Sequence, residues 1–302
     1  MTEMILFYSS GQIIAQRRKS SRTLVNDISF TLKKCESLAL IGETGSGKTM
    51  IALSIMGLLP ENVAQQNGNI IFCGRKFTKS NEARRELGVK IVYIPQNGME
   101  FLNPSRKVKD QLYDNLEKLG ISGKDRKKAA IKKLQAAGLN PPEDFLEKYP
   151  FQLSGGEAQR VTIAISACSD AKLLIADEPT NGLDPETKSR FLHQIHSLFP
   201  NAARLLITHD IAAAELCDRV LVLCGGKFIE SGSTASVLHS PMHPYTKALQ
   251  AALVENGMQE SPGLRKGFSD CPFYNRCQNA IQDCCAEIPV QANDSAQWRC
   301  VL

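Results

Sequence analysis

A chain of 302 residues exceeds what one hydrophobic core usually supports, so a main domain with an appendage is expected rather than one compact unit. Its 43% of hydrophobic residues is ordinary for a globular protein, and its longest apolar runs, such as Leu173-Leu174-Ile175-Ala176 and Val220 to Cys224, are strand-sized, well short of the roughly 18 residues a membrane-spanning helix needs. The net charge of +5 raises nucleic acid or anionic lipid as a partner. Of the basic runs at Arg17-Arg18-Lys19 and Lys124 to Lys133, the second surrounds Ala129, Ala130, Ile131 and Leu134 and reads as the solvated face of an amphipathic helix. It lacks the interleaved aromatics that base stacking uses, so no nucleic-acid partner is expected.

The N-terminus has no basic region followed by a long apolar core and a small-residue cleavage site, which predicts a cytoplasmic location. In a reducing compartment the ten cysteines point to metal binding, catalysis or packing rather than a disulfide framework. Cys35, Cys73, Cys168, Cys217 and Cys224 are scattered among apolar residues and are expected in the core. The other five lie between Cys271 and Cys300.

From Leu24 to Ile41 apolar and polar residues alternate, and Ser37-Leu38-Ala39-Leu40-Ile41 predicts a buried strand feeding a glycine. Gly42-Glu43-Thr44-Gly45-Ser46-Gly47-Lys48-Thr49 fits the phosphate-binding loop, in which glycines let successive backbone N–H groups face the α- and β-phosphates. Lys48 would reach the β- and γ-phosphates and the Thr49 hydroxyl would ligate Mg²⁺. The helix opening at Met50 would turn its positive end toward the anion, with Pro60 as its stop.

Between about Asn97 and Leu153 the pattern is helical and charged, after which strands and helices alternate to about Gly232, predicting a helical subdomain inserted into a parallel α/β core. Ser154-Gly155-Gly156-Glu157 opens a helix in which Ser154 and Glu157 would form a capping box. A glycine-flanked helix start with a free hydroxyl is also a γ-phosphate site. Lys172 to Glu178 reads as an apolar strand delivering two acids at its C-terminal end, where open α/β sheets bind ligands. Asp177 would hold Mg²⁺ through its water shell and Glu178 would polarise the attacking water. Beyond Ser233 the composition shifts toward Pro, Gly, Ser and Cys, with a linker at Glu260-Ser261-Pro262-Gly263.

The phosphate loop, the Ser-Gly-Gly signature and Asp177-Glu178, in that order, resemble the ATPase domain of ABC transporters. The resemblance implies a P-loop NTPase fold with a RecA-like parallel or mixed sheet, the ATPase domain spanning 1–232 with a helical subdomain at about 97–153, and a small Cys-rich extension over 233–302. It further implies that Gln96 contacts Mg²⁺ and the attacking water, that Asp184 lies in the loop crossing the dimer seam, and that His209 contacts the γ-phosphate. Two such domains would sandwich two ATP molecules, each between one subunit's Lys48 loop and the other's Ser154 signature. One departure is that no aromatic residue stands at Gly11 to Ala15, where the family stacks adenine, with Phe7 and Tyr8 somewhat early.

Gly57-Leu58-Leu59-Pro60, Phe101-Leu102-Asn103-Pro104, Tyr149-Pro150-Phe151-Gln152 and His243-Pro244-Tyr245-Thr246 resemble the oligopeptide, dipeptide and nickel importer branch. That implies uptake of peptides or nickel at the cytoplasmic face of the membrane by a pair of ATPase subunits, two permease subunits and an extracytoplasmic solute-binding protein. Cys271, Cys277, Cys284 and Cys300, with Cys285 adjacent, supply thiolates for zinc or an iron–sulfur cluster. The spacing up to Cys284, with Pro289 five places on, resembles the branch's extension, which in some members carries a [4Fe–4S] cluster, and selects Cys284 over Cys285; Gln278 stands where a proline is expected. Competing readings are a soluble ABC ATPase acting on nucleic acid or ribosomes, and an exporter ATPase.

Overall fold

The chain begins with β1 (Met4–Ser9), β2 (Gln12–Arg17), β3 (Ser20–Asn26), β4 (Ser29–Lys33) and β5 (Ser37–Ile41), and β5 is buried at all five positions before the chain enters α1 (Lys48–Met56). This is a computed structural model, describing residues 3–17, 20–181, 185–252 and 270–301. Arg18, Lys19, Asp184 and the Glu260 to Gly263 linker lie outside the described residues. α1 stops four residues before Pro60, because Gly57 adopts φ 68° and its N–H caps the carbonyls of Leu53 and Ser54, as a C-terminal glycine does.

Three short strands, β6 (Val63–Gln66), β7 (Asn69–Phe72) and β8 (Arg75–Phe77), and α2 (Ser80–Glu86) precede β9 (Ile91–Ile94). Residues 97–153 then contain helices and no strand: α3 (Gly98–Phe101), α4 (Val108–Lys118), α5 (Gly123–Ala136) and α6 (Glu143–Leu146). The basic run lies on α5, which buries Ala130 and Leu134. These helices pack Leu112, Leu116 and Leu134 against Val161 and Ala164 of α7 (Gly155–Ser166), since an amphipathic helix holds its place by burying one face. The second half runs β10 (Leu173–Asp177), α8 (Pro185–Leu198), β11 (Ala203–Thr208), α9 (Ile211–Ala214), β12 (Arg219–Cys224), β13 (Lys227–Ser233), α10 (Pro244–Ala251), β14 (Gln291–Ala292) and β15 (Ala296–Trp298).

β12-β5-β11-β10-β9 form a parallel block within the larger mixed sheet. The near-continuous Val, Ile and Leu content of these strands matches burial on both faces. A smaller antiparallel sheet, β4-β1-β7-β8, packs with β5 and α1 around Leu6, Tyr8, Leu32, Leu40 and Ile55. In register, Ile41 of β5 stands opposite Thr208 and Asp177 opposite Ile207, so the segments after β5, β10 and β11 leave the sheet at one edge.

The last part of the chain joins the same sheet, with β15 pairing antiparallel to β13. Glu230 of β13, fully buried, accepts hydrogen bonds from the backbone N–H groups of Met242 and His243 at 2.8 and 3.1 Å and from the Thr246 hydroxyl at 2.7 Å. A buried carboxylate needs such donors, and these fix the turn that starts α10. Among the described residues no helix is long and apolar enough to cross a membrane. Cys168 and Cys224 are core residues as expected, but Cys35 and Cys73 are exposed, at turn positions with φ 64° and 47°. Tight turns between strands, not their apolar neighbours, set their exposure.

Candidate active site

The site is assembled where the parallel strands end. After β5 the chain turns at Gly42, φ 150°, where a Cβ would stand 2.2 Å from the Leu223 carbonyl oxygen. At Gly47, φ 98°, it enters α1 without a side-chain cap, leaving first-turn N–H groups of α1 for an anion. The Ser46 Oγ is buried and lacks a hydrogen-bond partner among the described residues. Lys48 is only 6% exposed and folds back, its Nζ donating to the carbonyls of Gly42 at 2.6 Å and Glu43 at 3.0 Å. Burial pulls its pKa below the usual lysine value, against the attraction of Glu178, Asp177 and Glu43.

Asp177 ends β10, buried, and desolvation raises its carboxyl pKa even though the Thr49 hydroxyl hydrogen-bonds to it. The Tyr93 hydroxyl, its pKa pushed up to about 12 by burial and by Asp177, donates to Asp177 Oδ2 at 3.4 Å. Glu178 takes φ 47° and donates its N–H to the Ile207 carbonyl at 2.8 Å. Its Oε2 lies 2.8 Å from His209 Nδ1.

One cleft of about 560 Å³ collects Thr44, Gly45, Gly47, Lys48, Thr49, Met50, Gln96, Asp177, Glu178 and His209. Gly42 and Glu43 line an adjoining cleft with Thr44 and His209. Asn181 and Gly225 also line the main cleft, as do Arg22, Thr23 and Leu24 of β3, which went unrecognised in the sequence because strand pairing and not a local motif brings β3 there. Asn181 was legible only as part of the loop to Asp184, which lies outside the described residues. Among the described residues no Phe, Tyr or Trp lines the cleft, and Tyr8 is fully buried with its hydroxyl donating to Ser54 Oγ at 3.4 Å.

Ser154, Gly155, Gly156 and Glu157 stand apart from both clefts, with the first three exposed. The capping box is formed: Glu157 N–H donates to Ser154 Oγ at 3.3 Å and Ser154 N–H to Glu157 Oε2 at 2.7 Å. From the next turn of α7, Gln159 donates to the Pro95 carbonyl at 3.2 Å and accepts from Gly98 N–H at 2.8 Å. The segment carrying Gln96 is thereby tethered at both ends to the helix that begins at Ser154.

In the C-terminal unit Cys277, Cys284 and Cys300 are buried, Cys271 is partly buried and Cys285 is exposed. Burial pushes the Cys271 thiol up to about 11, and Cys284, Cys277 and Cys300 push it the same way, so each of these three lies within electrostatic range of Cys271. Cys271 N–H donates to the Cys284 carbonyl at 3.5 Å. Among the described residues no group of three or more His, Cys, Asp or Glu side chains stands at the spacing of a single metal ion. Zinc requires four ligands at about 2.0–2.3 Å; three buried thiols and a partly buried one are soft donors of the kind that zinc and iron–sulfur clusters both take.

The fold and this site define a nucleotide-hydrolysing cassette. The family model described as ABC transporter matches residues 25–181, and that of the oligopeptide/dipeptide transporter C-terminal region matches 229–284. The chain is 34% identical to the dipeptide transport ATP-binding protein DppD of Escherichia coli, covering 91% of this chain and 90% of that protein. It is 35% identical to the oligopeptide transport ATP-binding protein OppD of Salmonella typhimurium, over 92% and 87%. In fold it is similar to the dimeric bacterial ABC transporter cassette MJ0796, with a TM-score of 0.67 and 24% identity over 76% of this chain and 99% of that one. The chain therefore belongs to the ABC transporter family, as an ATPase subunit.

Proposed function

We propose that this ATPase drives uptake of di- or oligopeptides, bound peripherally at the cytoplasmic face of a membrane. Convergence of Lys48, Thr49, Asp177, Glu178, Gln96 and His209 on one cleft carries the reading of the ATP site. In it the Gly42 to Thr49 backbone and Lys48 cradle the phosphates, with Met50 opening the helix behind them. Thr49, Gln96 and Asp177 would hold Mg²⁺, which when bound neutralises charge between the β- and γ-phosphates. Glu178 accepts the proton of the attacking water, and His209, hydrogen-bonded to it, fixes its orientation and reaches the γ-phosphate. Ser154, Gly155, Gly156 and Glu157, with Asp184, serve the ATP held by a second ATPase subunit, which explains why the signature stands apart from this chain's own cleft.

The working assembly in this reading is two ATPase subunits, two permease subunits and an extracytoplasmic solute-binding protein. Residues 1–232 form the ATPase domain and 233–302 the extension, where Cys271, Cys277, Cys284 and Cys300 hold a [4Fe–4S] cluster. The names of the 34–35% identical relatives support peptides over nickel as cargo. The test is ATPase activity of the reconstituted complex, with its binding protein, against peptides, nickel and nickel chelates. Stimulation by peptides is the expected result. Stimulation by nickel alone would replace the cargo, and robust basal hydrolysis that responds to neither would overturn the transport reading.

A further inference from the structure

The Cys-rich unit touches the phosphate loop directly. Arg276, which precedes Cys277, places Nη1 2.6 Å from Glu43 Oε1 and Nη2 2.8 Å from Glu43 Oε2, joining residues 233 positions apart in one bidentate pair. The guanidinium is itself held near two rings, 5.1 Å from the Phe273 centroid and 6.0 Å from that of Tyr245. The Tyr245 hydroxyl accepts the Glu43 backbone N–H at 3.0 Å, while the Glu43 carbonyl receives Lys48 Nζ. One residue of the loop is thus gripped by two side chains from the C-terminal part and in turn holds the phosphate-facing lysine. A second contact runs parallel to the first, because Pro272 packs so closely over Gly225 that a Cβ there would meet it at 2.9 Å, and Gly225 lines the cleft.

The pair is partly exposed, 23% for Arg276 and 45% for Glu43, so solvent screens it and little fold stability depends on it. Its geometry is another matter. A planar guanidinium binding both carboxylate oxygens fixes orientation as well as charge, and a carboxylate beside an anion-binding loop repels phosphate unless it is neutralised. We infer that Arg276, with Tyr245, is a positioning residue for ATP binding: it holds Glu43 neutralised and oriented so that Lys48 is presented to the triphosphate, making the cysteine-bearing segment part of the nucleotide site. The inference rests on the reading of Gly42 to Thr49 as the ATP site.

The experiment measures ATP Kd, steady-state KM and kcat, and Tm on the assembled transporter carrying wild-type subunit, Arg276→Ala, Arg276→Lys, Glu43→Gln or the Arg276→Ala/Glu43→Gln pair. Arg276→Ala is expected to raise Kd and KM roughly tenfold, with kcat changed less than about twofold and Tm near wild type. Arg276→Lys recovers part of the affinity, restoring charge without the fork, and adding Glu43→Gln to Arg276→Ala recovers more by removing the uncompensated carboxylate. Unchanged Kd and KM in Arg276→Ala would overturn the inference. So would a loss of affinity that neither Arg276→Lys nor the double variant relieves, which would mark Arg276 as merely structural. A wild-type subunit that binds no ATP would instead sink the ATP-site reading, and the inference with it.

Discussion

His209 Nδ1 stands 2.8 Å from Glu178 Oε2, although 31 positions separate the two residues in the chain. They meet because β10 and β11 are parallel neighbours in register, Asp177 opposite Ile207, and each strand ends one residue before its functional side chain. In the proposed mechanism this contact joins the base to the group that orients it.

Replacing the base tests that arrangement. Glu178→Gln is expected to lower kcat by about 10²- to 10⁴-fold while ATP still binds, trapping an ATP-bound dimer. Phosphate release and size-exclusion chromatography in MgATP read the two effects, and normal turnover would remove Glu178 from the role.

Lys48 separates binding from folding. Burial disfavours its charged form, while its Nζ satisfies the carbonyls of Gly42 and Glu43, so in Lys48→Met the relief of one offsets the loss of the other. The variant should keep the Tm of the nucleotide-free protein close to wild type and weaken ATP binding about 10- to 100-fold. Calorimetry with and without ATP checks both, and a variant that is unfolded, or that melts far below wild type, contradicts this balance.

Ser154 has a local duty besides its proposed place across the dimer. Its Oγ caps α7 through Glu157 N–H, so Ser154→Ala should cost about 1 kcal/mol of stability. Denaturant unfolding measures this, and a loss of ATPase activity far beyond that small destabilisation would isolate the contribution to the partner's ATP.

Glu230 anchors the start of α10 through three donors. Glu230→Ala strands the buried His243 N–H and loses the partly buried bond from Met242, and is expected to cost about 2 kcal/mol. A Tm equal to wild type, with no new protease sensitivity between Met242 and Ala252, would show that the anchor is dispensable.

The cysteine assignment turns on burial. Cys284 is buried and Cys285 exposed, so anaerobically purified Cys284→Ser should lose iron and sulfide while Cys285→Ser retains both. Iron kept in Cys284→Ser, or zinc in place of iron in the wild-type protein, would exclude the proposed ligand set.

The glycine-rich loop after β5, the capping box at Ser154 and the acid pair at the end of β10 were readable in the sequence because each depends on short-range physics. Glycine backbone freedom, a side chain reaching three residues along a helix, and an apolar strand ending in charge all declare themselves within eight residues. The end of α1 was misread at Pro60 because Gly57 can take a left-handed conformation that stops a helix earlier, and Cys35 and Cys73 because apolar neighbours do not reveal a turn. The tertiary structure alone decided that β3 supplies Arg22, Thr23 and Leu24 to the cleft, that Gln159 ties the Gln96 segment to α7, and that Arg276 reaches Glu43. These contacts join residues far apart in the chain, and strand pairing, register and packing create them.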